Sequence, residues 1–146
     1  FHFVPAQNLA AREGPSGPDL RHSIVAKEQI MMWDPEVLFL DLATLQLGGQ
    51  EGGLYELRND PSYQTLSAVQ ENHVYGLLPY NWYATNFGSV LANAYFIGSV
   101  LYPERFADVD VQERADTIFS FLVGSPVLDA LIQELEGMAF QPIQVH

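Results

Sequence analysis

Four consecutive apolar residues, Val37-Leu38-Phe39-Leu40, stopped by Asp41, constrain this chain more than any other feature. A half-buried strand alternates apolar and polar residues, so a short uninterrupted run suits a strand covered by helices on both faces of a parallel sheet. The run is therefore read as a central strand. It follows Asp34-Pro35, which ends a short amphipathic helix from about Ala26 to Trp33, because proline disfavours helical geometry in the residue before it. His73 to Leu78 predicts a second strand, closed by Pro79, which has no amide hydrogen to offer a continuing ladder.

Helical spacing dominates the second half. Phe87, Val90, Leu91, Ala94, Tyr95, Gly98 and Leu101 recur at three- and four-residue steps and predict a long helix from about Thr85 with one buried face. Two more helices are marked by Ala115, Ile118, Phe119 and Leu122 and by Val127, Leu128, Leu131, Ile132 and Leu135, separated at Gly124-Ser125-Pro126. Residues 12 to 22 collect turn formers and read as an exposed loop, and four glycines between 48 and 53 read as a flexible crossing. Asp60-Pro61 has the cap and first-turn chemistry of a short helix reaching Val69. The tail after Gly137 is expected to fray or to pair at a sheet edge. Strands alternating with helices predict an α/β layered domain with a small, mostly parallel sheet, and 146 residues form one such domain.

The charge narrows the partners. With 18 acids against 6 bases the formal charge is −12, which repels a polyanion and offers no basic stripe, so nucleic acid is excluded as a partner. The absence of cysteine removes disulfides, thiolate metal sites and a cysteine nucleophile. No run approaches the roughly 20 apolar residues of a membrane helix. The start, Phe-His-Phe-Val-Pro, is neither a signal peptide nor an initiator methionine, so the chain is expected to be part of a larger protein whose signal or lipid anchor lies elsewhere.

Catalytic patterns are missing. The histidines (His2, His22, His73, His146) have no metal-ligand spacing, no Gly-x-Ser-x-Gly elbow surrounds a serine, and the glycines at 48 to 53 lack the Walker lysine. No enzymatic activity, metal or resident cofactor is expected. The segment Pro79-Tyr80-Asn81-Trp82-Tyr83-Ala84-Thr85-Asn86 is different, because it sets three aromatics and two amides between a strand end and a helix start. Ligands of open α/β sheets bind at that end of the strands. Aromatic faces supply apolar contact, and Asn81, Thr85, Asn86 and the first-turn amides can orient a polar or anionic group. The alternative is that Trp82 and a tyrosine cap the core, with Thr85 as helix cap.

The same residues carry a resemblance. Lys27-Glu28-Gln29-Ile30 followed by Trp33-Asp34-Pro35-Glu36-Val37-Leu38-Phe39-Leu40-Asp41 resembles the signature of class III periplasmic binding proteins of ABC transporters. Leu66 to Val69 with His73-Val74-Tyr75, Leu78 to Asn86 and Ala92 to Phe106 resemble further stretches of the iron-complex members, in the same order. Ala26 departs from the Ser or Thr cap that family often carries. The resemblance implies the C-terminal lobe, a three-layer α/β/α unit that is one half of a two-lobe protein, with the other lobe and the connecting helix lacking a counterpart here. It implies capture of an iron complex, such as a siderophore or haem chelate, and delivery to the transmembrane permease subunits from an extracytoplasmic location, periplasmic or lipid-anchored. Carried over residue by residue, the cleft wall is Asn81, Trp82, Tyr83 and Asn86 with Tyr80 nearby, and Arg21 and His22 are further contacts suited to a carboxylate or oxyanion.

Three alternatives stay open: another cargo such as cobalamin, molybdate or tungstate; a sensory binding domain that does not transport; and, third, an enzyme. An exposed half-cleft lined by Trp82 and Tyr83 is an apolar patch, which leads to the expectation that the isolated lobe associates with a second copy. Sedimentation at high concentration checks this, and a clean monomer would count against it.

Overall fold

The computed structural model describes residues 6–9, 25–47, 50–81 and 83–145. Among them it is mixed α/β, as the alternation of patterns predicts. Strands β1 (Leu38–Asp41) and β2 (Val74–Leu77) pair in parallel, with Leu38 opposite Val74 and Asp41 opposite Leu77. The helices are α1 (Lys27–Trp33), α2 (Gly53–Asn59), α3 (Ser67–Gln70), α4 (Phe87–Leu101), α5 (Val111–Val123) and α6 (Leu128–Glu134).

Helices cover both faces, which is why β1 carries no polar alternation. Leu38 and Leu40 share a pocket with Ile30 of α1, Leu57 of α2, Tyr63 and Leu66. On the opposite face Phe39 lies 5.9 Å from Tyr75, and Tyr75 meets Phe96 of α4 edge-on at 6.0 Å. The central place, however, belongs to β2 among the described residues. It has β1 on one side and the C-terminal segment on the other, where Phe140 donates to the Gly76 carbonyl at 3.0 Å and Ile143 to the Val74 carbonyl at 2.8 Å. The tail is thus edge-paired, and Ala139, Phe140, Ile143 and Val145 are buried in the core. A Cβ at residue 76 would overlap the Met138 carbonyl, so glycine is what lets the tail approach β2. Phe140 adopts the left-handed region (φ 58), costly for a bulky residue, and its ring stacks 4.8 Å from Phe96, which offsets that cost.

The residues that look like a family signature have structural work here. Asp34 accepts from the Ser67 amide at 2.8 Å and from the Ser67 hydroxyl at 2.7 Å, capping α3 from 33 residues away. Lys27 pairs with Asp60 at 2.6 Å. Together they fix α1 against the segment that leads into β2. Two local expectations change. The glycine-rich crossing runs into α2, whose first residue is Gly53, and the short helix expected from Asp60 to Val69 is a 3-10 turn (Tyr63–Thr65) followed by α3. Asp60 still accepts from the Ser62 amide at 2.9 Å, so the local cap chemistry is real but does not propagate.

Helix α4 starts at Phe87, with Asn86 rather than Thr85 as cap; its side chain accepts from the Ser89 amide at 3.1 Å. It runs antiparallel to α5, since Gly88 abuts Phe119 while Tyr95 sits 5.5 Å from Arg114. Asp110 caps α5 through the amides of Gln112 and Glu113, and Gly124 ends it at φ 85. Asp116 then accepts from the Leu128 amide at 3.2 Å, so α5 caps α6.

A single buried polar residue ties α4 to the sheet. Asn93, 5% exposed, accepts from the Leu78 amide at 3.0 Å and donates to the Leu78 carbonyl at 2.9 Å. These main-chain groups lie just beyond β2, where the ladder no longer serves them. Asn93→Ala leaves both unpaired in the core and is expected to cost about 3 kcal/mol in urea unfolding; a loss under about 1 kcal/mol would show that α4 is held by apolar packing alone.

Candidate functional site

Because β1 and β2 are parallel, their carboxyl ends face the same way, and the chain leaves both toward one cleft. β1 ends at Asp41, whose carboxylate accepts from the Ala43 amide at 2.9 Å and starts the 3-10 helix Leu42–Leu47 that supplies Leu45. β2 ends at Leu78-Pro79-Tyr80, and the loop then closes on itself: the Asn86 amide donates to the Tyr80 carbonyl at 2.7 Å, and Asn81 bridges to Thr85. The far wall is the end of α6. The resulting cleft has a volume of ≈ 570 Å³, within the roughly 300–1,000 Å³ of small-molecule sites.

Of the residues expected at the site, Tyr80, Tyr83 and Asn86 line the cleft. Asn81 does not. It is exposed and spends its main chain on the bridge to Thr85 that shapes the loop. Trp82, Arg21 and His22 lie outside the described residues. Tyr83 is 95% exposed and Tyr80 44%, so neither ring caps the core. Asn86 has a double role, because the side chain that stops α4 from fraying also stands on the cleft wall beside the buried Ser89.

Sequence reasoning missed Leu131, Glu134, Leu135 and Glu136, which form the wall opposite the loop. The pattern marked α6 as a core helix, and its fold-back over the strand ends is tertiary. One signal was present. Glu134 is the last residue of α6 and Glu136 follows it, with no base in the last turn, although a helix C-terminus favours cations. Acids placed there have no local electrostatic reason. Among the described residues no group of three histidines or acids is close enough to hold a metal ion.

Asp41 is the titratable group that folding disturbs most instructively. Burial pushes its carboxyl above the ordinary 3.8, and the Ala43 amide pulls it partly back. The folded state then holds that proton more tightly than the unfolded chain, so this contribution to stability is present below pH 3.8 and is lost as pH rises through the raised value. Asp34, which is exposed, and Asp60, which is half-buried, act oppositely. Hydrogen bonds from Ser67 hold Asp34 below its ordinary value and those from Lys27 and Ser62 hold Asp60 below its own, so their stabilisation is lost as pH falls through the lowered values. Asp41→Asn, which keeps an acceptor for Ala43, is expected to remove the decline on the rising side and leave the acid-side loss intact. Urea midpoints of both proteins across a pH series check this, and parallel curves would contradict it.

Against known proteins, no family model matches the chain and no curated protein is found similar to it.

Proposed function

We propose that this chain is the ligand-binding C-terminal lobe of an ABC-importer solute-binding protein of the iron-complex type, which captures a chelate such as a ferric siderophore or haem and delivers it to the permease. The observation that carries the reading is the coincidence of two independent lines. The aromatic segment singled out by its resemblance to that family is also the segment that forms the wall of a ≈ 570 Å³ cleft at the carboxyl ends of parallel strands. The wall combines flat aromatic area with an amide, which is chemistry for holding a ligand. His73 stands outside this wall, 3.5 Å from Glu71.

In this reading the cleft is one of two walls. Tyr80 and Tyr83 lie on the surface that a second lobe would cover, and closure would bury a ligand that this lobe alone holds on one side. The lobe would work outside the cytoplasm. Acids on its outer surface would meet basic residues of the permease, setting association rate and salt dependence more than affinity. Delivery would require only that the lobes part.

Titration of intrinsic fluorescence with ferric siderophores, haem, cobalamin and tungstate tests the reading. One ligand is expected to saturate the signal, and Tyr83→Ala to weaken it about tenfold, the effect of losing about 1.4 kcal/mol. Tyr55→Ala, on the exposed side of α2, should leave affinity unchanged. No response to any ligand would remove the iron-complex assignment, and unchanged affinity in Tyr83→Ala would remove the cleft.

A further inference from the structure

Among the described residues, the charge of the cleft selects among the cargoes that the reading above leaves open. Two carboxylates, Glu134 and Glu136, stand on its wall, and both are exposed. The described bases are engaged elsewhere. Lys27 pairs with Asp60, Arg58 donates to the Gln144 carbonyl, Arg105 lies 5.7 Å from the Tyr102 ring and Arg114 lies 5.5 Å from the Tyr95 ring. None of these four lines the cleft.

One feature there favours anions. The amino end of α4 opens on the cleft at Asn86 and Ser89, and a helix start carries roughly half a positive charge. The Asn86 side chain already accepts from one of those amides, and two full negative charges outweigh the remainder. Tyr80 and Tyr83 point to the same sign, because an aromatic face attracts a cation through its quadrupole and carboxylates beside it strengthen that preference. The acids also sit at the helix end where bases are usual, so the dipole of α6 does not account for them.

We propose that the cleft takes a ligand of net positive charge, a cationic chelate or organic cation held between the Tyr80 and Tyr83 rings and the Glu134 and Glu136 carboxylates, and that it rejects carboxylate-rich chelates and oxyanions. The inference rests on the cleft being the ligand site. It goes further by fixing the sign of the cargo, and it runs against the anionic partner that the loop amides suggest and that the resemblance implies through Arg21 and His22, which lie outside the described residues.

The test compares a cationic ferric trihydroxamate, ferrioxamine B, with an anionic ferric tricatecholate, ferric enterobactin, on the wild-type protein and on Glu134→Gln/Glu136→Gln. Tetraethylammonium, followed by NMR shifts of the tyrosine rings, serves as a cation free of iron. Ferrioxamine B is expected to bind the wild type more tightly, to weaken as salt is raised, and to lose about tenfold or more in the double variant, while the tricatecholate gains. Both glutamates are exposed, so the variant should fold, and its urea midpoint verifies this. Tighter binding of the tricatecholate by the wild type, or unchanged ferrioxamine B affinity in the folded double variant, overturns the inference while leaving an iron-complex cargo in place. Binding of tetraethylammonium that the double variant abolishes, with neither chelate bound, removes the iron-complex reading and sustains the charge preference.

Discussion

The fold depends on the pair of hydrogen bonds between Asn93 and the main chain of Leu78. A parallel sheet this small stops abruptly, and the amide and carbonyl beyond its last residue would be buried without partners. Asn93 presents a donor and an acceptor together and meets both groups from the helix that the same strand leads into. The loop between them, Tyr80 to Asn86, is therefore held at each end: by Asn93 on Leu78, and by the Asn86 cap on α4 with the Asn86 amide returning to the Tyr80 carbonyl. That double hold lets a loop carry an almost fully exposed aromatic residue in a defined place.

The cleft follows from the same constraint. Parallel pairing sends both strand ends in one direction, and the 3-10 helix after β1 and the loop after β2 become neighbouring walls without any sequence relation between them. The third wall needs α6 to fold back, and this is secured by Asp116 capping it from α5 and by the tail returning along β2 past Gly76. Glutamates at the end of α6 then share the cleft lining with Tyr80 and Tyr83, an arrangement that no pattern within α6 specifies. Motif residues such as Asp34 and Lys27, by contrast, stand away from the cleft and hold α1 to the 60–70 segment.

The legible parts of the sequence were those set by local physics. Apolar periodicity located α4, α5 and α6 within a few residues, the short apolar runs located both strands, and Gly124 behaved as a terminator, because each depends on its own neighbours. The aromatic loop was legible as the connection between a strand end and a helix start, because Pro79 stops one pattern and the helical period begins the next. What went astray was what distance decides. α2 was hidden behind glycines, the central position among the described residues fell to β2, and the bridge from Asn81 to Thr85 that closes the loop was not foreseen.

By itself, then, the sequence determined the fold class, the strong helices and both strands, and it marked Tyr80, Tyr83 and Asn86 as lying between a strand end and a helix start, since hydrophobic period, capping and turn chemistry act over a few residues. Only the tertiary structure decided that Asn93 would serve Leu78, that the tail would join β2, and that Glu134 and Glu136 would face the aromatic loop. Those contacts join segments from 15 to more than 60 residues apart, and no local preference encodes a meeting that exists only when the layers pack.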